Sequence, residues 1–220
     1  MNTIILNASP RKNRSTAQML RSCAEGARSV GSEVEYVDLF DLSFTGCKSC
    51  LACKRKGAQR CKCYLKDDLS PLIERIFEAD ALIIGSPIYL GNVTSCVFSL
   101  MERLHFCALS YDDYSSYFKG KVNFGAVLTM NAGMDIYEKW YEKSMERQLA
   151  SFRALNGRFE LLPCCDTLQV NDYSKYNMAG FNEAHKKQVH EKQFPLDLEA
   201  AFKLGARLCS KEVGDGASNA

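Results

Sequence analysis

Short runs that are apolar at successive positions recur along this chain, and helix-periodic segments separate them. Thr3–Leu6, Ala81–Gly85 and Val122–Thr129 are such runs. A strand without polar alternation buries both faces, so its sheet must be covered on both sides. The intervening segments can supply that cover. Ser15-Thr16 opens an amphipathic helix carrying Met19, Leu20, Cys23 and Ala27, and Gly31 closes it. Glu33–Leu39 alternates as a second strand. Asp67-Asp68 caps a helix holding Leu69, Leu72, Ile73 and Ile76. Helices are expected from about Thr94 to Cys107, over Asp135–Leu155 and over Leu198–Leu208, with a strand at Phe159–Val170. The pattern predicts an α/β fold, a doubly wound five-stranded parallel sheet of order 2-1-3-4-5, rather than a six-stranded dinucleotide fold. Ligands of such sheets sit at the carboxyl ends of the strands, which brings the loops 7–16, 86–94 and 129–134 together.

Composition narrows the function classes. A 220-residue chain with 46% hydrophobic and 25% charged residues can bury a core without disulfide staples. One domain is expected over 1–212, with a cysteine-rich loop at 44–66 and a flexible tail at 213–220. A net charge of +2 excludes the strong basic excess of a dedicated nucleic-acid binder. No apolar run approaches the roughly 20 residues of a membrane span. The start, MNTIILNASP, lacks the basic stretch and cleavage site of a signal peptide, so a cytoplasmic location is expected. The 11 cysteines are an odd number in a chain without secretion signals, which argues against a disulfide framework. Six of them, Cys23, Cys96, Cys107, Cys164, Cys165 and Cys209, are scattered and read as core. The other five form a cluster.

Two loops carry ligand chemistry. Asn7–Thr16 joins a strand to a helix N-terminus, which suits a phosphate. Ser9, Ser15 and Thr16 add hydroxyls and Arg11 adds charge. Neither G-x-G-x-x-G nor G-K-[ST] is present, which leaves a cradle for one terminal phosphate or an ordinary polar loop with a helix cap. In Ser86–Asn92, Pro87 stiffens the strand exit, Gly91 permits close backbone approach and Tyr89 offers an aromatic face. That loop can read the edge of a flat heterocycle, or be a plain turn.

Taken together, Ser9-Pro10-Arg11, Ser15-Thr16, the run Ser86-Pro87-Ile88-Tyr89-Leu90-Gly91-Asn92-Val93-Thr94 and Met101-Glu102-Arg103 resemble the NAD(P)H-dependent FMN reductase family of flavodoxin-like proteins. The resemblance runs in register to about residue 130; Glu102 stands where the family usually has Asp. It implies an FMN whose phosphate lies on Ser9, Arg11, Ser15 and Thr16. The ring would lie along Pro87, Ile88, Tyr89, Leu90, Gly91 and Asn92. Thr129, Asn131 and Gly133 of the third loop would close over it. NAD(P)H is the implied co-substrate.

The clustered cysteines read C-x2-C-x2-C-x7-C-x-C. Cys47, Cys50 and Cys53 can converge on one centre, and Cys61 or Cys63 can complete a four-thiolate set. Compact runs of this kind are iron–sulfur spacing. The chain therefore also resembles the iron–sulfur flavoprotein branch of the family, which implies a [4Fe–4S] cluster on Cys47, Cys50, Cys53 and Cys61. Zinc and metal-free thiols stay open as alternatives. Lys54, Arg55, Lys56, Arg60, Lys62 and Lys66 surround the cysteines, either to favour thiolate and attract NADPH or an acidic partner, or as a solvated basic loop.

His105, His185 and His190 are not spaced as a metal or catalytic set, and no nucleophile motif occurs. No acid or base is named, because the flavin carries the chemistry. The tyrosine-rich segment 109–119 reads as a surface loop or interface arm. The expectation is an FMN oxidoreductase passing electrons to a small-molecule or protein acceptor, assembled as a homo-oligomer. A carrier without its own turnover and a thiol or metal sensor are the other readings. An acidic surface would favour the carrier, and the phosphate loop speaks against the sensor.

Overall fold

The computed structural model describes residues 1–210. The elements run β1 (Asn2–Asn7), α1 (Ser15–Ser29), β2 (Glu33–Asp38), α2 (Leu69–Glu78), β3 (Ala81–Pro87) and α3 (Ser95–Ala108). They continue through β4 (Val122–Thr129), α4 (Met134–Ile136), α5 (Glu142–Leu149), β5 (Asn156–Cys164), α6 (Glu183–Lys192) and α7 (Phe194–Cys209). The strands form one parallel sheet of order β2-β1-β3-β4-β5. This is the doubly wound, flavodoxin-like order expected from the pattern.

The apolar runs divide their side chains between two layers because successive strand residues face opposite ways. Ile4, Leu6, Leu82, Ile84, Phe124 and Leu128 belong to the core on the side of α2 and α3. Ile5, Ala81, Ile83 and Val127 pack with Met19, Leu20 and Cys23 of α1 and with Leu204 and Leu208 of α7. All six scattered cysteines are buried, and no cysteine among the described residues is in a disulfide.

Several elements differ from the expected ones. β5 stops at Cys164 because its pairing with β4 ends at Thr129↔Cys164, and Asp166 then turns the chain at φ 55°. The expected strand to Val170 is therefore a strand followed by a loop over the carboxyl edge. The helix expected at 135–155 is broken into α4, a π turn at Tyr137–Tyr141, α5 and a 3-10 stretch at Ala150–Leu155. The helix expected at 198–208 begins earlier, with Pro195 in its first turn, and α6 precedes it without an apolar stripe that would mark it. The cap of α2 belongs to Asp67, whose Oδ1 accepts from Leu69 N and Ser70 N at 3.2 and 3.3 Å. The expected tail at 213–220 falls outside the described residues.

α1 and α7 touch through glycines. A Cβ on Gly205 would stand 2.0 Å from the Cys23 carbonyl oxygen, and one on Gly26 would stand 1.9 Å from that of Phe202. Alanine is favoured over glycine inside a helix by about 1 kcal/mol. A clash with backbone, however, has no rotamer to relieve it. Gly205→Ala is expected to destabilise the chain by about 1–3 kcal/mol, the scale of overpacking. The urea midpoint measures this, and a rise in the midpoint would contradict the packing described.

Candidate functional site

The three loops expected to meet do so. Ser9, Ser15 and Thr16, then Pro87, Ile88 and Tyr89, then Thr129 and Asn131 line one cleft at the carboxyl edge, where β1 and β3 lie side by side. Side chains hold the loops in register. Thr16 Oγ1 and Thr129 Oγ1 are 2.7 Å apart, and Thr94 Oγ1 donates to Ala8 O at 2.8 Å. Asn7 holds both Asp38 Oδ1, through its Nδ2 at 2.7 Å, and Ser9 N, through its Oδ1 at 3.1 Å.

The N-terminus of α1 opens into this cleft without a cap. Its N-cap is Arg14, which makes no side-chain capping bond, and the first helical bond is Gln18 N to Arg14 O. The backbone N–H groups of Ser15, Thr16 and Ala17 thus stand at the positive end of the helix, the arrangement that receives a phosphate. Arg11, expected on that phosphate, sends Nη1 to Gln169 O at 2.8 Å, and Arg14 sends Nη1 to Asn171 Oδ1 at 2.6 Å.

The second loop is a tight turn. Tyr89 N donates to Asn92 O and Asn92 N to Tyr89 O, at 2.8 and 3.0 Å. Leu90 and Gly91 between them have φ of 50° and 78°. Leu90 is left-handed and 99% exposed, a conformation costing a non-glycine residue about 1–2 kcal/mol. Such strain points to a role for the loop itself. Ile88 N is used by Thr129 O, and Gly91 O accepts from Gln148 Nε2. The N–H groups of Leu90 and Gly91 have no protein acceptor among the described residues.

In the third loop, Thr129 and Asn131 face the cleft, whereas Gly133 lies outside its lining as the N-cap of α4. Asn131 Oδ1 is buried without a hydrogen-bond partner, while its Nδ2 reaches Gln169 Oε1 at 3.3 Å. An orphaned acceptor here and free N–H groups at the start of α1 fit a polar, phosphorylated heterocycle such as FMN, whereas Leu90, Gly91 and Asn92, expected along its ring, lie outside the cleft's lining. Sequence reasoning missed Arg14, Met130, Thr167 and Gln169, which also line the cleft. It also missed the brace behind the third loop. Asp166 N donates to Ala132 O, Lys186 Nζ bonds Asn131 O and Asp166 Oδ1, and His185 Nε2 lies 2.5 Å from Asp166 Oδ2. The charged run of α6, with no apolar stripe, gave no advance sign of it.

The cysteine loop packs over α3. Cys47, Cys50, Cys53 and Cys63 line one small cavity of about 20 Å³, with Cys107 at its floor. Cys61 does not line it; its backbone N donates to Cys107 O at 3.3 Å and its side chain packs against the core. Two of the sulfurs receive N–H bonds: Ser49 N to Cys47 Sγ and Arg103 Nε to Cys63 Sγ, both at 3.4 Å. Ser49 and Leu51, flanking Cys50, are left-handed at φ 51° and 56°. Burial raises the pKa of Cys53 and Cys61 above an ordinary thiol, and raises that of Cys107 strongly.

Among the described residues, no three His, Cys, Asp or Glu side chains gather closely enough to hold a metal ion. A zinc at about 2.3 Å from each sulfur would draw its ligands to roughly 4 Å of one another. Four cysteines are the donor set of a four-iron cluster, but a cavity of about 20 Å³ does not fit one with the side chains as they stand. Three of the six basic residues around the cysteines are engaged. Lys54 Nζ bonds Phe106 O and Leu109 O at the end of α3 and lies 4.8 Å from the Phe106 ring centroid. Arg60 stacks on Tyr117, and Lys62 pairs with Glu74.

Residues 1–140 match the profile of the NADPH-dependent FMN reductases. The chain belongs to that family. It is 39% identical over 103 residues to an iron-sulfur flavoprotein of Archaeoglobus fulgidus, covering 47% of this chain and 48% of that one. An iron-sulfur flavoprotein of Methanocaldococcus jannaschii is 33% identical over 103 residues, covering 47% and 51%. The chain thus spans about half the length of the relatives it matches. In fold it is similar to an NAD(P)H:quinone oxidoreductase from Methanothermobacter marburgensis, at TM-score 0.70 and 18% identity over 94% of this chain and 98% of that one. An FMN-dependent NADH-azoreductase of Bacillus anthracis, solved with FMN, aligns at TM-score 0.63 and 12% identity over 95% and 99%.

Two outcomes follow from this geometry. A Cβ on Gly91 would sit 3.2 Å from the Tyr141 ring in a left-handed backbone. Gly91→Ala is expected to cost about 1–2 kcal/mol, read from the thermal midpoint; no loss would contradict the turn. Burial works to raise the pKa of Asp67 and Asp166, but hydrogen bonds and charge from Arg103, and from Lys186 and His185, prevail and hold both below the usual carboxylate range. Their stabilisation is complete above the unfolded value of about 4 and is lost as pH falls through the lower folded values. Stability followed by circular dichroism should therefore decline below about pH 4.

Proposed function

We propose that this protein is an FMN-dependent NAD(P)H oxidoreductase that passes electrons from a nicotinamide to a small-molecule or protein acceptor. The observation that carries the reading is the uncapped N-terminus of α1, opening into a cleft walled by the loops leaving β1, β3 and β4. FMN bound there supplies hydride and electron acceptance. The chain's own groups do the holding. The N–H groups of Ser15, Thr16 and Ala17, the Ser9 and Ser15 hydroxyls and the remaining N–H groups of Arg11 receive the phosphate. The N–H groups of Leu90 and Gly91 address the ring edge, Pro87, Ile88 and Tyr89 wall it, and Asn131 Oδ1 accepts from it. Thr129 ties the first and third loops, Asn92 closes the turn and Gly133 starts the helix that ends the third loop.

The similarity to iron-sulfur flavoproteins supports a [4Fe–4S] cluster on the cysteine loop, which would supply single-electron transfer. Cys47, Cys50, Cys53 and Cys63 line one cavity, whereas Cys61, the fourth ligand expected from spacing, packs against the core next to it. A homo-oligomer is supported by a groove of about 460 Å³ along α3, walled by Phe98, Met101 and Phe106. A cytoplasmic setting is supported by the free thiols. No helix among the described residues is long and apolar enough to cross a membrane.

The visible spectrum of protein purified without oxygen tests the cofactors. Flavin bands in the blue and near-ultraviolet that bleach on adding NAD(P)H support the reading, and their absence after adding FMN overturns it. Ser15→Asp tests the phosphate site. A carboxylate at the first turn suits the empty helix but repels a phosphate. FMN affinity should fall at least about tenfold, roughly 1.4 kcal/mol, with no loss of apo-protein stability. Unchanged affinity would place the phosphate elsewhere.

A further inference from the structure

Arg14 lines the cleft at the start of α1 and goes against the charge rule for its position. It is the N-cap residue, where Ser, Thr, Asp and Asn are favoured because their side chains accept a helix N–H. A guanidinium has no acceptor to offer, and it adds positive charge to the positive end of the helix. No acid in the first turn of α1 offsets it. Arg11, three residues earlier, brings a second guanidinium to the same cleft.

Nothing in the protein cancels these two charges. Among the described residues no carboxylate lines the cleft, and each guanidinium makes its one hydrogen bond to a neutral acceptor. Both acceptors come from the loop after β5. Arg11 Nη1 donates to Gln169 O at 2.8 Å, and Arg14 Nη1 donates to Asn171 Oδ1 at 2.6 Å. Acids close to these segments have other partners. Asp38 accepts from Asn7, Asp41 pairs with Lys12, and Asp172, next to Asn171, bonds Ser174 and Lys175. The loop is braced in turn, by Thr167 N on Met130 O at 3.0 Å and by Gln169 N on the hydroxyl of the buried Tyr173 at 3.1 Å. It therefore holds two arginines in place without neutralising either. Two guanidinium groups at a positive helix end match an anion of more than one charge, and a phosphate monoester carries about −1.5 to −2 at pH 7.

We propose that Arg14 is a specificity-determining residue of this cleft: held by Asn171, it joins Arg11 in supplying the second positive charge that makes the cleft take a flavin ending in a phosphate monoester and discriminate against the same flavin without its phosphate. The inference rests on the FMN reading above. A mere tie between α1 and the loop after β5 would act on both flavins alike, because the ring and ribityl chain are common to them.

The test uses the full chain freed of flavin and titrated with FMN and with riboflavin, following the quenching of flavin fluorescence. Arg14→Gln keeps an N–H for Asn171 and removes the charge. FMN affinity should fall about tenfold, roughly 1.4 kcal/mol, with riboflavin affinity unchanged. The thermal midpoint of the flavin-free variant should be no lower, since a cation has left the positive end of α1. An equal loss for both flavins, or no loss of FMN affinity, overturns the inference and leaves the FMN reading standing. So does an unmodified chain that binds riboflavin as tightly as FMN. Failure of the unmodified chain to bind FMN overturns both. Should Arg14→Gln not fold, Asn171→Asp leaves Arg14 in place and gives it a carboxylate partner. A loss of FMN affinity without loss of riboflavin affinity then supports the inference, and the absence of such a selective loss overturns it.

Discussion

In a parallel sheet every strand ends on the same edge, and every crossover must return to the opposite one. Because β1 sits between β2 and β3, the chain winds outward in both directions from one place, and the loops after β1 and β3 part there. That parting leaves a crevice which no crossover covers. The free N–H groups of α1, the strained turn at Leu90-Gly91 and the orphaned Asn131 oxygen all depend on it. Each would be a defect in a closed core, and each is tolerated at an open edge.

Glycine, burial and charge support that edge from behind. The backbone contact of α1 and α7 through Gly26 and Gly205 holds α1 closely against α7. Lys186, almost fully buried, holds the Asn131 carbonyl and Asp166 together on the far side of the third loop. Gln148 of α5 holds the second loop through Gly91 O. The π turn before α5 brings Tyr141 against Gly91, which is how a break in a helix serves a site it does not line.

The cysteine loop follows different physics. It has no sheet to define it, and three of its non-glycine residues, Ser49, Leu51 and Cys61, adopt left-handed backbone. Its order comes from cations. Lys54 caps the carbonyls at the end of α3, Arg60 stacks on Tyr117, and Arg103 joins the loop to α2. Of the six residues that read in the sequence as a diffuse basic shell, Lys54 and Arg60 fasten a helix end and an aromatic face, and Lys62 pairs with Glu74.

Periodicity determined the sheet, its order and the three loops of the cleft, because a strand buried on both faces leaves its mark on every residue it contains. Spacing likewise put Cys47, Cys50 and Cys53 on the wall of one cavity, since residues three apart in one loop stay neighbours. Only the tertiary structure decided the rest. Gln169 reaches Arg11 across 158 residues, β5 ends where its partner ends, and α6 carries Lys186 to a loop it shares no pattern with. Which of Cys61 and Cys63, two residues apart, lines the cysteine cavity depends on how the chain turns over α3. Such contacts join segments brought together by the closing of the sheet, and nothing in the local sequence of either partner encodes the distance between them.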